Sequence, residues 1–248
     1  MYNCGYREKC TCECAGCDYF STRQSHKNKD KVITMDSFLK SFSDKYGKWR
    51  EEGDFEFSAK VIPVKESLVA QQWVLPGEQV LEILKNARSF ALADCICRTH
   101  YARCDRPRDV CFLIDELSDK VVGHNKARRI TLAEASEVLK KADEHGLVHM
   151  TLHMPGRKIY ALCSCCACCC HDLQLILDHG RRDLVVRSDY VAVSDRERCT
   201  NCGKCIERCV FGARSLLGDV MEYNAGDCRG CGLCVSVCPE KATAMMER

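Results

Sequence analysis

Two cysteine-rich runs near the end of the chain have the spacing that iron–sulfur clusters require. The pattern C-x2-C-x2-C-x3-C begins at Cys199 and returns at Cys228, 29 residues later. A thiolate at every third residue lets a tight loop hold three corners of one cubane. The fourth cysteine, which we expect to open a helix pointing away, binds the other cluster. The predicted ligands of the two [4Fe–4S] clusters are Cys199, Cys202, Cys205 and Cys238 for one, and Cys228, Cys231, Cys234 and Cys209 for the other.

Residues 190–248, which contain both runs, resemble the bacterial-type two-cluster ferredoxins. Glycines inside the runs fit this resemblance, because a residue without Cβ lets the backbone come close to a ligand. Amides brought that close donate to the sulfurs and so influence the reduction potential. A zinc-binding or disulfide-linked module is the alternative, and it suits two interlocking runs of four thiols poorly. The glycines are Gly203, Gly230 and Gly232.

The composition indicates a protein whose thiols are committed to metal. The chain has 248 residues, 23 of them cysteines, and a formal net charge of +2. Residues 1–30 are polar and lack a signal-peptide core, and no apolar run is long enough to span a membrane. We therefore expect a cytoplasmic protein in a reducing, anaerobic setting. Each four-thiolate cluster adds about two negative charges, so the charge favours no nucleic acid partner.

The N-terminal region, residues 1–60, is predicted to hold a cysteine-rich arm, a polar linker and an amphipathic helix. Apolar side chains recur every three or four residues from Met35, with Thr34 as the expected cap and Gly53 near the end. The cysteines of the arm are soft, closely spaced ligands. A further cluster, a zinc site and a flexible arm all remain open for them. The four candidate metal ligands are Cys10, Cys12, Cys14 and Cys17.

Residues 61–189 are predicted to form a central cysteine-rich domain that mixes helices and strands. A capping box opens a helix at Thr131, and Gly146 ends it. Two strand patterns flank Pro155-Gly156, which predicts a hairpin. The expected fold class is therefore α+β, with this central domain followed by a ferredoxin-like two-cluster domain at 190–248.

Cysteines crowd two places in the central domain, each following a predicted strand. Adjacent residues of a strand face opposite sides, so a Cys-Cys pair serves two sides of one cluster or two different clusters. We expect one or two further iron–sulfur clusters bound by both groups together, with a structural zinc site as the alternative. The first group is Cys95, Cys97, Cys104 and Cys111, and the second is Cys163, Cys165, Cys166, Cys168, Cys169 and Cys170.

Four motifs within residues 61–248 resemble a group of iron–sulfur proteins from anaerobes that end in a double-ferredoxin domain. That group carries Cys-x-Cys-Arg, a cysteine before Asp-Val-Cys, Gly-Leu-Val-His, and Cys-Cys-x-Cys-Cys-Cys. The resemblance implies iron–sulfur redox work and defines no substrate. In this chain the motifs are Cys95-Ile-Cys97-Arg98, Cys104 with Asp109-Val-Cys111, Gly146-Leu-Val-His149, and Cys165 to Cys170.

Basic and imidazole side chains accompany the central cysteines. Arg98 and its neighbouring arginines would offset the negative charge of a cluster and raise its potential. Each arginine taken singly is nevertheless more typical of solvated surface charge. His100 and His171 stand beside cysteines in the sequence, and we expect supporting or surface roles for them rather than metal ligation.

The main interpretation is a multi-cluster iron–sulfur electron carrier that is a subunit or dedicated partner of an anaerobic oxidoreductase. The sequence has no glycine-rich dinucleotide fingerprint and no phosphate-binding loop, so no nucleotide or flavin site is expected. The alternative is a redox enzyme with a catalytic iron–sulfur or thiol site in the central domain, fed by the ferredoxin-like domain. Its Cys-Cys pairs resemble the cysteine-rich domains of heterodisulfide reductases, although the spacing that follows them differs.

Overall fold

The computed structural model describes residues 34–53, 55–63 and 76–248. The cysteine-rich arm, with Cys10, Cys12, Cys14 and Cys17, lies outside the described residues. Within those ranges, no helix combines the length and the apolar character needed to cross a bilayer.

The first described helix, α1 (Ser37–Glu51), packs its aromatic face on the central domain. Its N-cap is Asp36, whose carboxylate accepts a hydrogen bond from the Leu39 amide at 2.9 Å. The prediction of Thr34 as the cap is therefore wrong. A capping side chain must accept a hydrogen bond from an amide of the first turn, and Asp36 is the residue that does so. The helix ends close to Gly53, as predicted.

A seven-stranded sheet forms the middle of the described chain. Its strands are β1 (Ala59–Ile62), β2 (Phe90–Asp94), β3 (Asp109–Ile114), β4 (Ala127–Arg129), β5 (Val148–Met154), β6 (Lys158–Cys165) and β7 (Val185–Val186). They pair in the order β4-β2-β3-β6-β5-β1-β7. Every pair is antiparallel except β1 with β7. The predicted hairpin is present as β5 and β6.

Helices cover this sheet and bury its apolar side chains. They are α2 (Pro76–Asn86), α3 (Ile96–Tyr101), α4 (Asp115–Gly123), α5 (Leu132–Glu144) and α6 (His171–His179). Leu84 of α2 and Leu139 of α5 pack with Phe112 of β3 in the main core. The predicted capping box opens α5: Glu134 N donates to Thr131 Oγ1 at 3.2 Å, and Thr131 N donates back to Glu134 Oε2 at 2.8 Å.

The C-terminal part consists of two short antiparallel strand pairs and two short helices. Its elements are β8 (Tyr190–Ser194), α7 (Lys204–Arg208), β9 (Arg214–Leu217), β10 (Val220–Tyr223), α8 (Leu233–Ser236) and β11 (Thr243–Glu247). Strands β8 and β11 pair with each other, as do β9 and β10, both antiparallel. The chain is thus α+β, as predicted.

The fourth cysteine of each run does not open a helix, so that prediction is wrong. Gly203 and Gly232 both have φ of +77°, and each turns the chain into its short helix directly after the second cysteine of the run. The third cysteine therefore lies inside α7 or α8. Cys209 and Cys238 follow the ends of these helices instead.

Candidate metal centres

The thiols that the C-terminal spacing assigns to one cluster lie near the surface. We call them set A. Cys202 is exposed, and the other three are partly buried. Burial raises the pKa of Cys205, and the neighbouring Cys199 and Cys202 thiols are further contributors. Set A consists of Cys199, Cys202, Cys205 and Cys238.

The other C-terminal thiols, set B, lie deeper. Cys209 comes from the first run, whereas its three partners come from the second. Burial raises the pKa of Cys231, and the negative charges of the three other thiols of the set, Cys234, Cys209 and Cys228, raise it further. Cys209 is thus close enough to the second run for its charge to act on Cys231. Set B consists of Cys209, Cys228, Cys231 and Cys234.

Backbone amides and one buried arginine supply positive charge to both sets. Gly230 N donates to Cys228 Sγ at 3.4 Å, and Ala242 N donates to Cys238 Sγ at 3.3 Å. Arg214 is only 4% exposed, and its Nη1 lies 3.9 Å from a set A sulfur, that of Cys205. Its guanidinium also interacts with Cys234 of set B. Sequence reasoning missed Arg214, because its burial among these thiols depends on tertiary packing.

The donor chemistry of both sets fits four-iron clusters. Each set offers four thiols, which is the full ligand number of a [4Fe–4S] cluster. Within the described residues, neither set brings three of its sulfurs within 4.8 Å of one another. Open spacing of this kind leaves room for a polynuclear cluster rather than one ion. Amides that donate to the ligand sulfurs are also typical of such sites.

The central domain contains a closed ring of six thiols, which we call the six-thiol ring. Each thiol interacts with two others of the ring, and following these interactions leads back to the start. The sheet explains part of this arrangement, because Cys111 of β3 and Cys163 of β6 are directly opposite each other. In order, the ring runs Cys95, Cys111, Cys163, Cys165, Cys170, Cys97 and back to Cys95.

The remaining central thiols form a tighter cluster, which we call the four-thiol group. Their sulfurs all lie within 4.8 Å of one another, and in the described part of the chain this is the one such group of three or more Cys, His, Asp or Glu side chains. The structure therefore separates Cys104 from the other cysteines of its sequence group. The four-thiol group consists of Cys104, Cys166, Cys168 and Cys169.

Arg98 lies between the six-thiol ring and the four-thiol group. Its side chain is completely buried, so the expectation of a solvated surface charge is wrong at this position. Its Nε donates to Cys166 Sγ at 3.4 Å, and its Nη2 donates to the Ser164 carbonyl at 2.7 Å. Burial alone would lower the pKa of Arg98, but the negative charges of Cys166 and Cys95 raise it. Arg98 is therefore a fixed cation shared by both groups.

Each group contains one thiol that is set up to ionise first. Hydrogen bonds from Cys111 and Cys97 hold the pKa of Cys95 at about 3. Hydrogen bonds from the other three members of the four-thiol group hold the pKa of Cys166 well below its ordinary value, and Arg98 contributes to this. Thiolate is the form in which cysteine binds metal, so both groups are suited to metal binding.

A buried imidazole supports the ring from α6. Nδ1 of His171 lies 3.0 Å from Cys97 Sγ. Its Nε2 faces the Tyr46 hydroxyl at 2.8 Å and an Asp172 oxygen at 2.9 Å. His171 is therefore held beside the thiols, in line with the predicted supporting role. His100 instead stacks on Phe38, with ring centroids 3.9 Å apart.

His149 connects the helix α5 to the strand that carries the central cysteines. Its Nδ1 lies 2.9 Å from Ser164 Oγ, and its Nε2 lies 2.5 Å from Asp143 Oδ1. All three side chains are buried. This geometry gives the histidine of the Gly-Leu-Val-His motif a role in fixing β6 directly before Cys165.

Comparison with known proteins identifies the C-terminal part. The family described as "4Fe-4S dicluster domain" matches residues 191–239. Residues 191–239 form a 4Fe-4S dicluster domain. A relative of this region is "Pyruvate synthase subunit PorD" of Thermotoga maritima, which is 39% identical over 51 residues. That match covers 20% of this chain and 52% of the relative, so the chain spans about half the length of the curated relative. No solved structure matches the chain.

The dicluster domain packs directly on the central domain. Cys231 and Leu233 of its second run share one buried apolar cluster with Cys170 and Leu173. Arg208 adds a polar contact, because its Nη2 donates to the Asp143 carbonyl at 3.2 Å. Set B thus adjoins the wall of the six-thiol ring, whereas the thiols of set A are exposed or only partly buried.

An open cleft of about 980 Å³ lies elsewhere on the central sheet. Its walls include Ile62 of β1, Ile83 of α2 and His153 of β5. None of the described residues that line this cleft is a cysteine. The cleft and the central thiols are therefore separate features of the described structure.

Proposed function

We propose that this chain is a multi-cluster iron–sulfur electron-transfer protein that serves as a subunit or dedicated partner of an anaerobic oxidoreductase. The observation that carries the proposal is the arrangement of thiols from surface to interior. Set A is partly exposed, set B is mostly buried, and the six-thiol ring lies behind set B in the central domain. Iron–sulfur clusters bound at these positions supply one-electron redox chemistry.

The proposed ligands of the dicluster domain are the thiols of set A for one cluster and those of set B for the other. Cys202 is exposed, so set A is the end at which a partner protein exchanges electrons with the chain. Set B excludes water more fully, since Cys228, Cys231 and Cys234 are all buried. Arg214 and the donated amides offset negative charge at both sets, which raises the potential relative to bare thiolate sites.

The six-thiol ring is the proposed site of a further iron–sulfur cluster. Its spacing is more open than that of the four-thiol group, and its thiols come from β3, β6 and the N-terminal ends of α3 and α6. Cys170 belongs to the same apolar cluster as Cys231. The ring residues therefore extend the line of cluster sites beyond set B, and the apolar contact keeps water out of the gap between them.

The nature of the partner rests on the relative of the dicluster domain. That relative is named as a subunit of pyruvate synthase, and pyruvate synthase is an oxidoreductase. The similarity covers only the dicluster domain, so it supports an oxidoreductase partner in general and leaves the substrate undefined. We therefore propose an assembly with an oxidoreductase and assign no particular oxoacid to it.

Electron transfer is favoured over the alternative of a catalytic site in the central domain. Cys95, Cys97 and Cys170 are each at most 5% exposed, so a substrate has little access to the ring. The described cleft that is large enough for a small molecule has no thiol in its walls. A reaction site needs both access and reactive groups at one place, and these two features lie apart here.

Anaerobic redox titration of the full chain, followed by electron paramagnetic resonance, tests the proposal. We expect reversible one-electron reduction of the dicluster domain and a further signal from the ring. In a Cys165→Ser/Cys170→Ser variant the further signal disappears while the dicluster signals persist, which also shows that the chain has folded. Clusters that cannot be reduced reversibly, or identical spectra for both proteins, would contradict the proposal.

A further inference from the structure

The four-thiol group joins two loops of the central domain. Cys104 lies between α3 and β3, whereas its partners lie in the turn between β6 and α6. That turn is closed by a hydrogen bond from Cys170 N to the Cys166 carbonyl at 3.0 Å. Cys166, Cys168 and Cys169 are each at most 2% exposed, while Cys104 is partly buried. The four thiols thus come from two loops and converge on one enclosed point.

The distances between these thiols match coordination of a single ion. Cys104 Sγ lies 3.9 Å from Cys166 Sγ, and Cys168 Sγ lies 3.7 Å from Cys169 Sγ. Four sulfurs placed tetrahedrally at about 2.3 Å from zinc are ~3.8 Å apart. A four-iron cubane is bigger than one ion, so its thiolate ligands stand further apart.

The dicluster domain provides a comparison within the same molecule. Its thiols belong to a domain that binds iron–sulfur clusters, and no three of them lie within 4.8 Å of one another in the described structure. The four-thiol group does satisfy this distance. The chain therefore has two kinds of thiol spacing, an open one in the cluster-binding domain and a compact one here.

We propose that the four-thiol group is a structural zinc site, separate from every iron–sulfur site of the chain. Four thiolates around one buried ion form the closed coordination that is typical of structural zinc, which keeps no open position for substrate. Zinc has no redox chemistry, so this site does not carry electrons.

The surroundings of the group suit the charge of such a site. A zinc ion with four thiolates has a net charge of about −2 by addition of ligand and ion charges. Arg98 Nε donates to Cys166 Sγ at 3.4 Å, and Arg106 Nη1 donates to Cys168 Sγ at 3.9 Å. Two guanidinium groups thus lie against the thiolates and offset this charge.

The zinc site would position part of the six-thiol ring. Cys165 and Cys170 belong to the ring, and they directly flank the turn that carries three of the four proposed zinc ligands. Fixing that turn to the loop of Cys104 holds both flanking cysteines in place. The role of the ion is therefore to stiffen one wall of the ring.

Zinc, iron and acid-labile sulfide in the anaerobically purified full chain test this inference. We expect a Cys168→Ser/Cys169→Ser variant to hold about one zinc per chain less than the wild type, whatever the N-terminal cysteines bind. The matched control, Cys165→Ser/Cys170→Ser, changes the other two cysteines of the same segment and should retain zinc. A wild-type protein without zinc, or a loss of iron and sulfide instead of zinc in the Cys168→Ser/Cys169→Ser variant, would overturn the proposal.

X-ray absorption at the zinc edge of the wild type gives a second test that requires no variant to fold. The expected coordination is four sulfurs at about 2.3 Å. Mixed nitrogen and oxygen ligands would overturn the proposal, because they would place the zinc away from these thiols. The zinc lost in the Cys168→Ser/Cys169→Ser variant reports on this site, whereas iron content reports on the proposed electron path, so either proposal can fail without the other.

Discussion

Cys165 and Cys166 are consecutive residues whose thiols belong to different groups. Cys165 interacts with Cys163 and Cys170 of the six-thiol ring, whereas Cys166 Sγ lies 3.9 Å from Cys104 Sγ in the four-thiol group. Neighbouring side chains of an extended strand point to opposite faces, so the end of β6 divides the two groups. Arg98 lies at this division and interacts with both.

Replacing Arg98 by Met is expected to lower the reduction potential of the cluster proposed in the ring. A buried unit charge ~5 Å from a charged site interacts with it by about 3 kcal/mol at an effective dielectric of about 20, which is on the order of 100 mV for a one-electron couple. Loss of the cation disfavours the more negative, reduced state. Redox titration of the ring signal measures the shift.

Two variants control this prediction. Arg98→Lys keeps the charge but loses the guanidinium fork that reaches the Ser164 carbonyl, so we expect a smaller shift than in Arg98→Met. Arg88→Met removes a largely exposed arginine that pairs with Asp119 and should leave the potential unchanged. Equal potentials in Arg98→Met and the wild type would show that Arg98 does not tune this site.

Alanine at Gly230 is expected to destabilise set B much more than alanine at Gly203 destabilises set A. Both glycines have positive φ, of +70° and +77° respectively, so both substitutions carry about 1–2 kcal/mol of backbone strain. A Cβ at Gly230 would also lie 2.2 Å from the Tyr190 carbonyl oxygen, whereas at Gly203 it meets nothing within 4 Å. Backbone must therefore move only in the Gly230→Ala variant.

Iron content and thermal unfolding of both glycine variants check this difference. We expect Gly230→Ala to lose iron from the dicluster domain and Gly203→Ala to retain it with a modestly lower unfolding temperature. Similar iron contents in the two variants would contradict the close packing of Gly230 against β8.

Removal of the His149 imidazole is expected to destabilise the central domain. Asp143 and Ser164 would lose a buried hydrogen-bond partner, at a cost of about 1–3 kcal/mol, which corresponds to roughly 3–10 °C in unfolding temperature for a chain of this size. The control is His145→Ala at the exposed end of α5, and this change should lower the unfolding temperature by less than His149→Ala does. Differential scanning fluorimetry under anaerobic conditions makes the comparison, and equal shifts would contradict a supporting role for His149.

After an iron chelator is added, the cluster proposed at set A is expected to lose its iron before the cluster proposed at set B. Cys202 is exposed, whereas Cys231 is buried, so water and chelator reach set A more easily. Iron release followed over time should show two phases, with about four iron atoms in the faster one. The faster phase should disappear in a Cys202→Ser variant that lacks the set A cluster. One uniform phase would contradict the difference in burial.

Much of the fold follows from local sequence signals. The capping box at Thr131 places the start of α5, and Pro155-Gly156 places the β5–β6 hairpin, because both signals act within a few residues. Helix α3 was not predicted, since its six residues are too few to show a helical period. The cap of α1 was misplaced because Thr34 and Asp36 are both good capping residues, and only the geometry distinguishes them.

The division of the central thiols was less accessible from sequence. The pairing of Cys111 with Cys163 depends on strand register between β3 and β6, and the union of Cys104 with Cys166 depends on how two distant loops meet. The sequence indicated that the side chains of adjacent cysteines face opposite sides of a strand. It did not indicate which other thiols each cysteine contacts. The burial of Arg98 likewise depends on tertiary packing.

The number of iron and sulfide atoms per chain decides whether the six-thiol ring holds a cluster. The full chain, purified without oxygen, is compared with the Cys165→Ser/Cys170→Ser ring variant. We expect clearly more than eight iron and eight sulfide per chain in the wild type and a lower content in the variant, which should still include the eight of two [4Fe–4S] clusters. A value of about eight in both proteins would contradict a cluster in the six-thiol ring and confine electron transfer to the dicluster domain.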